Sequence, residues 1–247
     1  MTSLNQRSLV LIDPSTRHPE HEVCASIISR SPLPTLLVRP ALPPTSFECT
    51  TPLDQLKTLE SHLIGGVIIL GGGASPNDQL DWQNSLKTWL SSPDGVMDRS
   101  LPLLGICYGH QLIAQLCGSE VKFLWQGECA KGLREIQFSE DVLGHSSQCP
   151  TPLVVSHREG VISRPSDWRD LTNESLISPL NPLLDPVIAV EAMTHQEKPW
   201  WGFQAHIDAT PQFLTNNTIN AVLPSPYAGI SMIDHFLQSL SRLDLQG

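Results

Sequence analysis

The chain has 247 residues, and 25 Asp and Glu against 15 Lys and Arg give it a formal net charge of −10 at pH 7. With 40% apolar and 16% charged residues, it is typical of a globular protein that folds without disulfides or metal ions. The acidic balance argues against nucleic acid or an anionic membrane surface as a partner.

The six cysteines and the amino-terminal segment indicate a compartment. The cysteines, at positions 24, 49, 107, 117, 129 and 149, never occur as Cys-x-x-Cys, which excludes the common zinc-ribbon and thioredoxin patterns. The short apolar run 9–12 is followed by Asp13 and Pro14, which favours a β-strand over a signal peptide. No run approaches the ~20 apolar residues of a membrane span. We therefore expect reduced thiols and a cytoplasmic protein.

Strands and helices alternate in the first half of the sequence. The predicted strands are 9–12, 36–39, 67–70 and 101–106, and the predicted helices are 20–31, 52–63, 78–91 and 108–117. The strands are apolar throughout, and the helices carry large apolar residues at helical spacing. This order predicts βαβ units around a mostly parallel sheet with helices on both faces.

The second half has shorter strands between segments rich in Pro, Ser, Asn and Asp. Strands are predicted at 121–124, 133–138, 153–156, 187–193 and 200–205, and an amphipathic helix at 226–243. The sequence contains no internal repeat and no linker-like segment between two folded regions. We therefore predict that residues 1–247 form a single α/β domain.

The segment Gly105-Ile-Cys107-Tyr-Gly109 lies between the fourth predicted strand and its helix. This is the spacing of a nucleophile elbow with Cys in place of Ser. A tight turn exposes the central side chain above the sheet, and the flanking glycines leave room for neighbouring backbone. The helix amino terminus favours the anionic thiol, and the N–H of Tyr108 could stabilise an oxyanion. The pattern predicts that Cys107 is a nucleophile.

A cysteine nucleophile needs a base, and His206 is the first candidate among nine histidines. It ends a predicted strand, and Asp208 follows on the same side of an extended chain, where its carboxylate can orient the imidazole. His157 also ends a predicted strand and is the alternative base. His18 and His21 form the only close histidine pair, and no further ligands accompany them, so we predict no metal site.

Three glycines, Gly71-Gly72-Gly73, follow the third predicted strand. They lack both the Lys of a phosphate loop and the spacing of a dinucleotide-binding turn, so we predict no nucleotide cofactor. Open α/β sheets place their sites at the carboxyl ends of parallel strands. We therefore expect the N–H groups of this turn to contribute to an oxyanion hole.

Taken together, the glycine turn, the elbow, Ser156-His157 and Gln204-Ala-His206-Ile-Asp208 follow the order found in class I (triad) glutamine amidotransferases. Over about residues 8–209 the chain resembles this family, and in detail the free-standing domains similar to the glutaminase part of GMP synthetase. The resemblance implies a flavodoxin-like fold and hydrolysis of glutamine through a γ-glutamyl thioester. It also implies that ammonia is released to a separate acceptor or to a synthetase subunit.

The resemblance assigns a role to each matching residue. Cys107 is the nucleophile, His206 the base and Asp208 the orienting acid, with Gly72 and Tyr108 as the oxyanion hole and Gln111, Ser156 and His157 as substrate-binding residues.

The chain departs from the family pattern at three places. Ile207 and Asp208 replace the usual Pro and Glu, and Asp is shorter by about 1.5 Å. Gly73 replaces a proline in the oxyanion turn. Arg158-Glu159 replaces the usual Gly-Asp, which alters the substrate pocket and offers Arg158 to a substrate carboxylate.

Two other functions fit the same residues. A γ-glutamyl hydrolase or peptidase, acting for example on glutathione conjugates, forms the same thioester with a larger leaving group. A non-catalytic regulatory subunit would keep the fold and account for the changes at Ile207 and Asp208. An α/β-hydrolase fits less well, because its acid precedes its histidine in the chain.

Overall fold

The computed structural model describes residues 7–42, 53–172, 176–180 and 183–243. Its strands are β1 (Ser8–Ile12), β2 (Thr35–Val38), β3 (Ile64–Ile69), β4 (Leu103–Ile106), β5 (Val121–Phe123), β6 (Ala130–Ile136), β7 (Thr151–His157), β8 (Glu159–Val161), β9 (Trp168–Asp170), β10 (Leu176–Ile177), β11 (Val187–Ile188), β12 (Ala192–His195) and β13 (Trp200–Phe203). Its α-helices are α1 (His21–Arg30), α2 (Leu53–Leu56), α3 (Asp81–Ser91), α4 (Tyr108–Leu116), α5 (Pro211–Asn216) and α6 (Ala228–Leu243).

A seven-stranded sheet in the order β2-β1-β3-β4-β13-β12-β9 lies at the centre of the described chain. The first five strands in this order run parallel, and β12 and β9 add an antiparallel edge. The register pairs Gly105 of β4 with Ile69 of β3, and Ile106 of β4 with Phe203 of β13. The carboxyl ends of these three strands therefore meet at one edge of the sheet.

Helices cover both faces of this sheet, because successive side chains of a strand point to opposite sides. Leu9 and Leu11 of β1 belong to the core on the face covered by α1, α5 and α6. Val10 and Ile12 belong to the core on the face covered by α2, α3 and α4. The predicted mostly parallel α/β sheet with helices on both faces is confirmed.

The helix predicted over 52–63 is wrong in extent. In the structure α2 covers only Leu53–Leu56, a 3₁₀ turn occupies Ser61–Leu63, and β3 begins at Ile64; residue 52 lies outside the described residues. Leu53, Leu56 and Leu59 nevertheless contact the same core. Their helical spacing therefore reports burial on one face rather than a continuous helix.

The strand predicted over 187–193 is also wrong, because it is divided into β11 and β12. Between them, the N–H of Val190 donates to the Val161 carbonyl, and the Glu191 carbonyl accepts from the N–H of Gln204. These bonds turn the segment from one pairing to the next. The sequence pattern also missed β8, β9, β10 and α5, which are all six residues or shorter.

Candidate active site

Cys107 occupies the turn between β4 and α4 with φ 51° and ψ −102°, a conformation that residues with a β-carbon rarely adopt. Its N–H donates to the Phe203 carbonyl at 2.7 Å, and its carbonyl accepts from the Gln111 N–H at 3.0 Å. The turn is thus fixed by β13 on one side and by the first turn of α4 on the other. This is the strained elbow that the glycine spacing predicts.

The glycines of the elbow allow the backbones to approach closely. A β-carbon on Gly109 would overlap the carbonyl oxygen of Ile69 in β3. A β-carbon on Gly105 would lie 2.6 Å from the carbonyl carbon of Gly109. Helix α4 therefore begins in direct backbone contact with the sheet, with Cys107 at its amino-terminal end.

His206 follows β13 and is held by its backbone. Its N–H donates to the Val154 carbonyl at 2.7 Å, and its carbonyl accepts from the Tyr227 hydroxyl at 2.6 Å. Its imidazole Nδ1 lies 3.2 Å from Asp208 Oδ1, and both side chains are buried. The shorter carboxylate at position 208 therefore reaches the imidazole.

The glycine turn after β3 lies against this imidazole. A β-carbon on Gly71 would lie 2.5 Å from His206 Cε1 and 3.4 Å from Cys107 Cβ. The Phe213 ring packs against the imidazole, with 4.3 Å between ring centroids. His206 is thus confined beside Cys107, and the thiol is a hydrogen-bonding neighbour of the ring.

The electrostatics of this pair favour an imidazolium. Burial on its own lowers the pKa of His206, but the adjacent Cys107 thiolate and the hydrogen bonds with Asp208 and Cys107 outweigh it and raise the pKa to about 10. A positive imidazolium beside the sulphur stabilises a thiolate, which is the reactive form of cysteine.

His157, the alternative base, lies in a different environment. Its Nδ1 contacts the Glu159 carbonyl at 3.0 Å, and its buried Nε2 has no hydrogen-bond partner among the described residues. Burial, together with the positive charge of Arg134, lowers the pKa of His157 to about 3. An imidazole that binds protons so weakly is a poor general base at neutral pH, so the structure favours His206.

The predicted substrate and oxyanion residues surround the sulphur to different degrees. The Ser156 carbonyl, at the end of β7, lies 3.9 Å from Cys107 Sγ. Tyr108 is the first residue of α4, where an N–H has no intrahelical acceptor. Gly72 is half-buried, and a β-carbon there would lie 3.0 Å from Pro14 Cγ. Ser156 thus borders the sulphur directly, whereas Tyr108 adjoins Cys107 and Gly72 adjoins Gly71 along the chain.

Gln111 differs from expectation in how its side chain is used. Its Nε2 donates to the Glu159 carbonyl at 2.8 Å and to Gln204 Oε1 at 3.0 Å. Gln204 in turn directs Nε2 towards Cys107 Sγ at 3.6 Å. Sequence analysis quoted Gln204 in the motif with His206 but gave it no role. The strand predicted over 200–205 ends at Phe203, so Gln204 lies in the bend after β13.

A cluster of charged side chains lies near His206 and Asp208. Asp13 and Arg39 form a buried ion pair of 2.9 Å, and Asp13 also accepts from the N–H groups of Ser15 and Glu20. Burial and the negative charges of Asp208 and Asp13 raise the pKa of Glu20 to about 7, although His206 opposes them. Glu20 therefore titrates near neutral pH, close to the charges of Asp208 and His206.

Two features bear on other functional classes. The described residues contain no group of three or more His, Cys, Asp or Glu placed to hold a metal ion. Within the same residues, no helix has the length and apolarity that a membrane span requires.

Comparisons with known proteins point to one family. Residues 36–221 match the family model described as glutamine amidotransferase class-I. The glutamine-hydrolyzing GMP synthase subunit of Archaeoglobus fulgidus is 29% identical over 160 residues, which cover 64% of this chain and 72% of the relative. The protein of the same name from Methanothermobacter thermautotrophicus is 30% identical over 157 residues, covering 64% and 70% respectively.

Solved structures share the fold at lower identity. A protein from Thermoplasma acidophilum, described as a GMP synthase subunit, has a TM-score of 0.66 at 15% identity and covers 99% of both chains. A glutamine amidotransferase from Thermotoga maritima has a TM-score of 0.64 at 13% identity, covering 95% of this chain and 98% of that one. The predicted flavodoxin-like α/β fold is thereby confirmed. Because the family model matches three quarters of the sequence, including the elbow and the turn after β13, the chain belongs to the class I glutamine amidotransferase family.

Proposed function

We propose that this chain hydrolyses the γ-carboxamide of glutamine and releases glutamate and ammonia. The observation that carries the proposal is the thiol of Cys107, held in a strained elbow beside a buried His206–Asp208 pair. This arrangement supports a thiol-dependent acyl transfer in which Cys107 is the nucleophile, His206 the base and Asp208 the orienting acid.

The geometry suits a two-step reaction. The Cys107 thiolate attacks the carboxamide carbon, and the carbonyl oxygen becomes an oxyanion that the N–H groups of Gly72 and Tyr108 stabilise. The His206 imidazolium gives its proton to the departing nitrogen, so that ammonia leaves and a γ-glutamyl thioester remains. Neutral His206 then takes a proton from water, which attacks the thioester and releases glutamate with the thiolate restored. Asp208 orients the imidazole throughout.

We also propose how the substrate is held. The backbone of Ser156 and His157 borders the sulphur and offers hydrogen bonds to the amino-acid end of glutamine. Both Nε2 hydrogens of Gln111 are engaged by protein acceptors, so its remaining capacity towards substrate is the acceptor Oε1.

The ammonia requires an acceptor. Two relatives are named as glutamine-hydrolyzing subunits of GMP synthase. By analogy, we propose that a separate synthetase subunit, or another soluble acceptor, takes up the ammonia in the cytoplasm.

A second candidate is a γ-glutamyl hydrolase acting on larger leaving groups. The observation that favours it is Arg158, which is exposed directly after His157. Its backbone carbonyl accepts from the N–H of Leu124 at 2.8 Å, which fixes the main chain of Arg158 directly after His157. A guanidinium there could pair with the carboxylate of a leaving peptide such as cysteinyl-glycine.

Glutamate release from glutamine and from glutathione, measured side by side, tests both candidates. We expect glutamine to be cleaved, and the Cys107→Ala variant to lose at least about 1000-fold in kcat/KM because no nucleophile remains. Cys117→Ala is the matched control, since Cys117 lies at the far end of α4 and should leave the rate unchanged.

Other results would contradict the primary proposal. Release chiefly from glutathione would support the γ-glutamyl hydrolase. Release from neither substrate would leave a non-catalytic subunit, and full activity in Cys107→Ala would rule out the thioester mechanism.

A further inference from the structure

A chain of hydrogen bonds between buried side chains ends on the sulphur of Cys107. It runs from the Glu159 carbonyl to Gln111 Nε2 at 2.8 Å, and from that nitrogen to Gln204 Oε1 at 3.0 Å. It ends between Gln204 Nε2 and Cys107 Sγ, 3.6 Å apart. Gln111 is 4% exposed and Gln204 1% exposed, so no bulk water competes for these bonds.

The direction of the chain is fixed at its first member. A backbone carbonyl only accepts, so the Gln111 group that faces Glu159 must be the donor Nε2. The same Nε2 then requires an acceptor from Gln204, which places Oε1 of Gln204 towards Gln111. The Nε2 of Gln204 is left facing the sulphur. The reverse orientation would oppose two NH₂ groups and direct an oxygen at the thiolate.

We propose that Gln204 is a further catalytic residue, which donates a hydrogen bond to the Cys107 thiolate, and that Gln111 is the positioning residue that orients it. This inference rests on the proposed function in one respect: the thiolate is the reacting group. A neutral amide stabilises the negative sulphur without competing with His206 for protons. It acts again when the thioester is hydrolysed, because the thiolate is then the leaving group.

The location of Gln204 explains how the donor is kept in place. The residue lies directly after β13, where its N–H donates to the Glu191 carbonyl at 2.7 Å. The Phe203 carbonyl, one residue earlier, accepts from the N–H of Cys107 itself. Backbone and side chain of this short segment thus contact the same cysteine, which fixes the distance between the amide and the sulphur.

The test is the pH dependence of Cys107 alkylation by iodoacetamide, followed by mass spectrometry of the peptide that contains Cys107. Glutamine turnover is not involved, so the result is independent of whether the chain is a glutaminase. We expect Gln204→Leu to raise the pH midpoint of alkylation by about one unit, because the thiolate loses a donor. Gln111→Leu should raise it by a smaller amount, since Gln204 is then free to turn.

Gln137→Leu is the matched control. Gln137 also donates Nε2 to a backbone carbonyl, that of Ser147, but it lies on the segment after β6 away from the thiol. The pH midpoint of Cys107 alkylation in Gln137→Leu should equal that of the parent chain. Should Gln204→Leu fail to fold, Gln204→Glu keeps the shape, removes the donor and adds a negative charge, and the midpoint should rise further.

The opposite results are equally clear. An unchanged midpoint in a folded Gln204 variant would contradict the proposal, because Gln204 would then only pack against its neighbours. An unchanged midpoint in Gln111→Leu would contradict the positioning role, and a raised KM for glutamine in the same variant would then limit Gln111 to substrate binding. A parent thiol that never reacts would also overturn the proposal.

Discussion

Gly71 determines how closely the imidazole of His206 approaches the thiol. The ring also packs against Phe213 of α5, with 4.3 Å between the ring centroids, so a shift of the imidazole towards that ring would disturb α5. A residue without a side chain after β3 is therefore a condition for the contact between the His206 imidazole and the Cys107 thiol.

Alanine substitutions at two positions of the glycine turn distinguish a steric effect on His206 from a general effect of changing the loop. In Gly71→Ala the new β-carbon would lie 2.5 Å from His206 Cε1, so the ring must move. We expect kcat/KM for glutamine to fall by about 100-fold, as for other misplacements near 1 Å. In Gly73→Ala the nearest atom is Thr16 Oγ1 at 3.9 Å, an ordinary contact, and the rate should change little.

Steady-state kinetics of the two variants provide the comparison. Equal losses in both would mean that the turn is sensitive to any substitution, and no loss in Gly71→Ala would mean that His206 is not held at the thiol by this turn.

Single residues also show how far the site could be predicted from sequence. Cys107, His206 and Asp208 stand in local patterns, because an elbow and an i, i+2 pair are each formed within a few residues. The contact of Gln111 with Gln204 spans 93 positions and depends on β13 lying beside β4. Nothing in either local pattern carries that information.

At the scale of the element, α4 is the helix whose placement decides the position of Cys107. Its backbone approaches β3 and β4 closely at Gly105 and Gly109, and its side chains Leu112 and Ile113 are buried in the same core as Ile69. Because the backbones are in close contact, the helix has little freedom to slide along the sheet. Its amino-terminal end therefore stays fixed next to Cys107.

Alanine at two glycines of this element should have different effects on stability. Gly109→Ala would bring its β-carbon into the Ile69 carbonyl, and we expect a loss of about 3 kcal/mol or more in the free energy of unfolding. Gly118 follows the helix at φ 89° with no atom within 4 Å of a β-carbon, so Gly118→Ala should cost only about 1 kcal/mol of backbone strain. Urea unfolding followed by circular dichroism measures both.

A loss in Gly109→Ala no larger than in Gly118→Ala would show that α4 shifts on the sheet at little cost. Cys107 would then be held by the elbow alone.

The elements themselves were predictable where their own residues decide them. Long apolar strands and the amphipathic α6 follow from periodicity. The short strands β8 and β9 do not, because their conformation depends on pairing with β5 and β12. The leucines of 53–63 show the converse, since burial alone produced a helical spacing without a full helix.

At the scale of the whole molecule, charge matters because the chain carries a formal −10 and buries acidic groups near its site. Glu20 is half-buried beside Asp13 and Asp208. Its ionisation adds a third negative charge to this region, so the stability of the fold becomes linked to pH near neutrality.

That residues 1–247 form one domain stays a prediction.

The sign of this linkage follows from the raised pKa. Burial and the neighbouring carboxylates raise the pKa of Glu20 from 4.5 to about 7, so between these values the folded chain binds more protons than the unfolded one. Stability therefore falls as pH rises from 4.5 to 7, and the full penalty is present above 7. After allowance for solvent screening of a half-buried group, we expect the penalty to be about 1 kcal/mol.

Glu20→Gln should remove this penalty. We expect the variant to be more stable than the parent by about 1 kcal/mol at pH 8 and nearly equal to it at pH 4.5, in urea unfolding at both values. Glu22→Gln, a substitution at an exposed position in the first turn of α1, is the control and should show no such pH-dependent gain. A Glu20 variant with the same difference from the parent at both pH values would contradict the linkage.

The left-handed backbone conformation of Cys107 lowers the stability of the fold at the position whose thiol is the proposed nucleophile. A β-carbon at φ 51° destabilises the fold by about 1–3 kcal/mol, a substantial part of the 5–15 kcal/mol that holds a typical domain together. Glycine would relieve that strain. If the protein had only a structural role, selection would therefore not maintain a cysteine at this position. Its presence is more compatible with a chain selected for the chemistry of its thiol than with one that has drifted into a passive role.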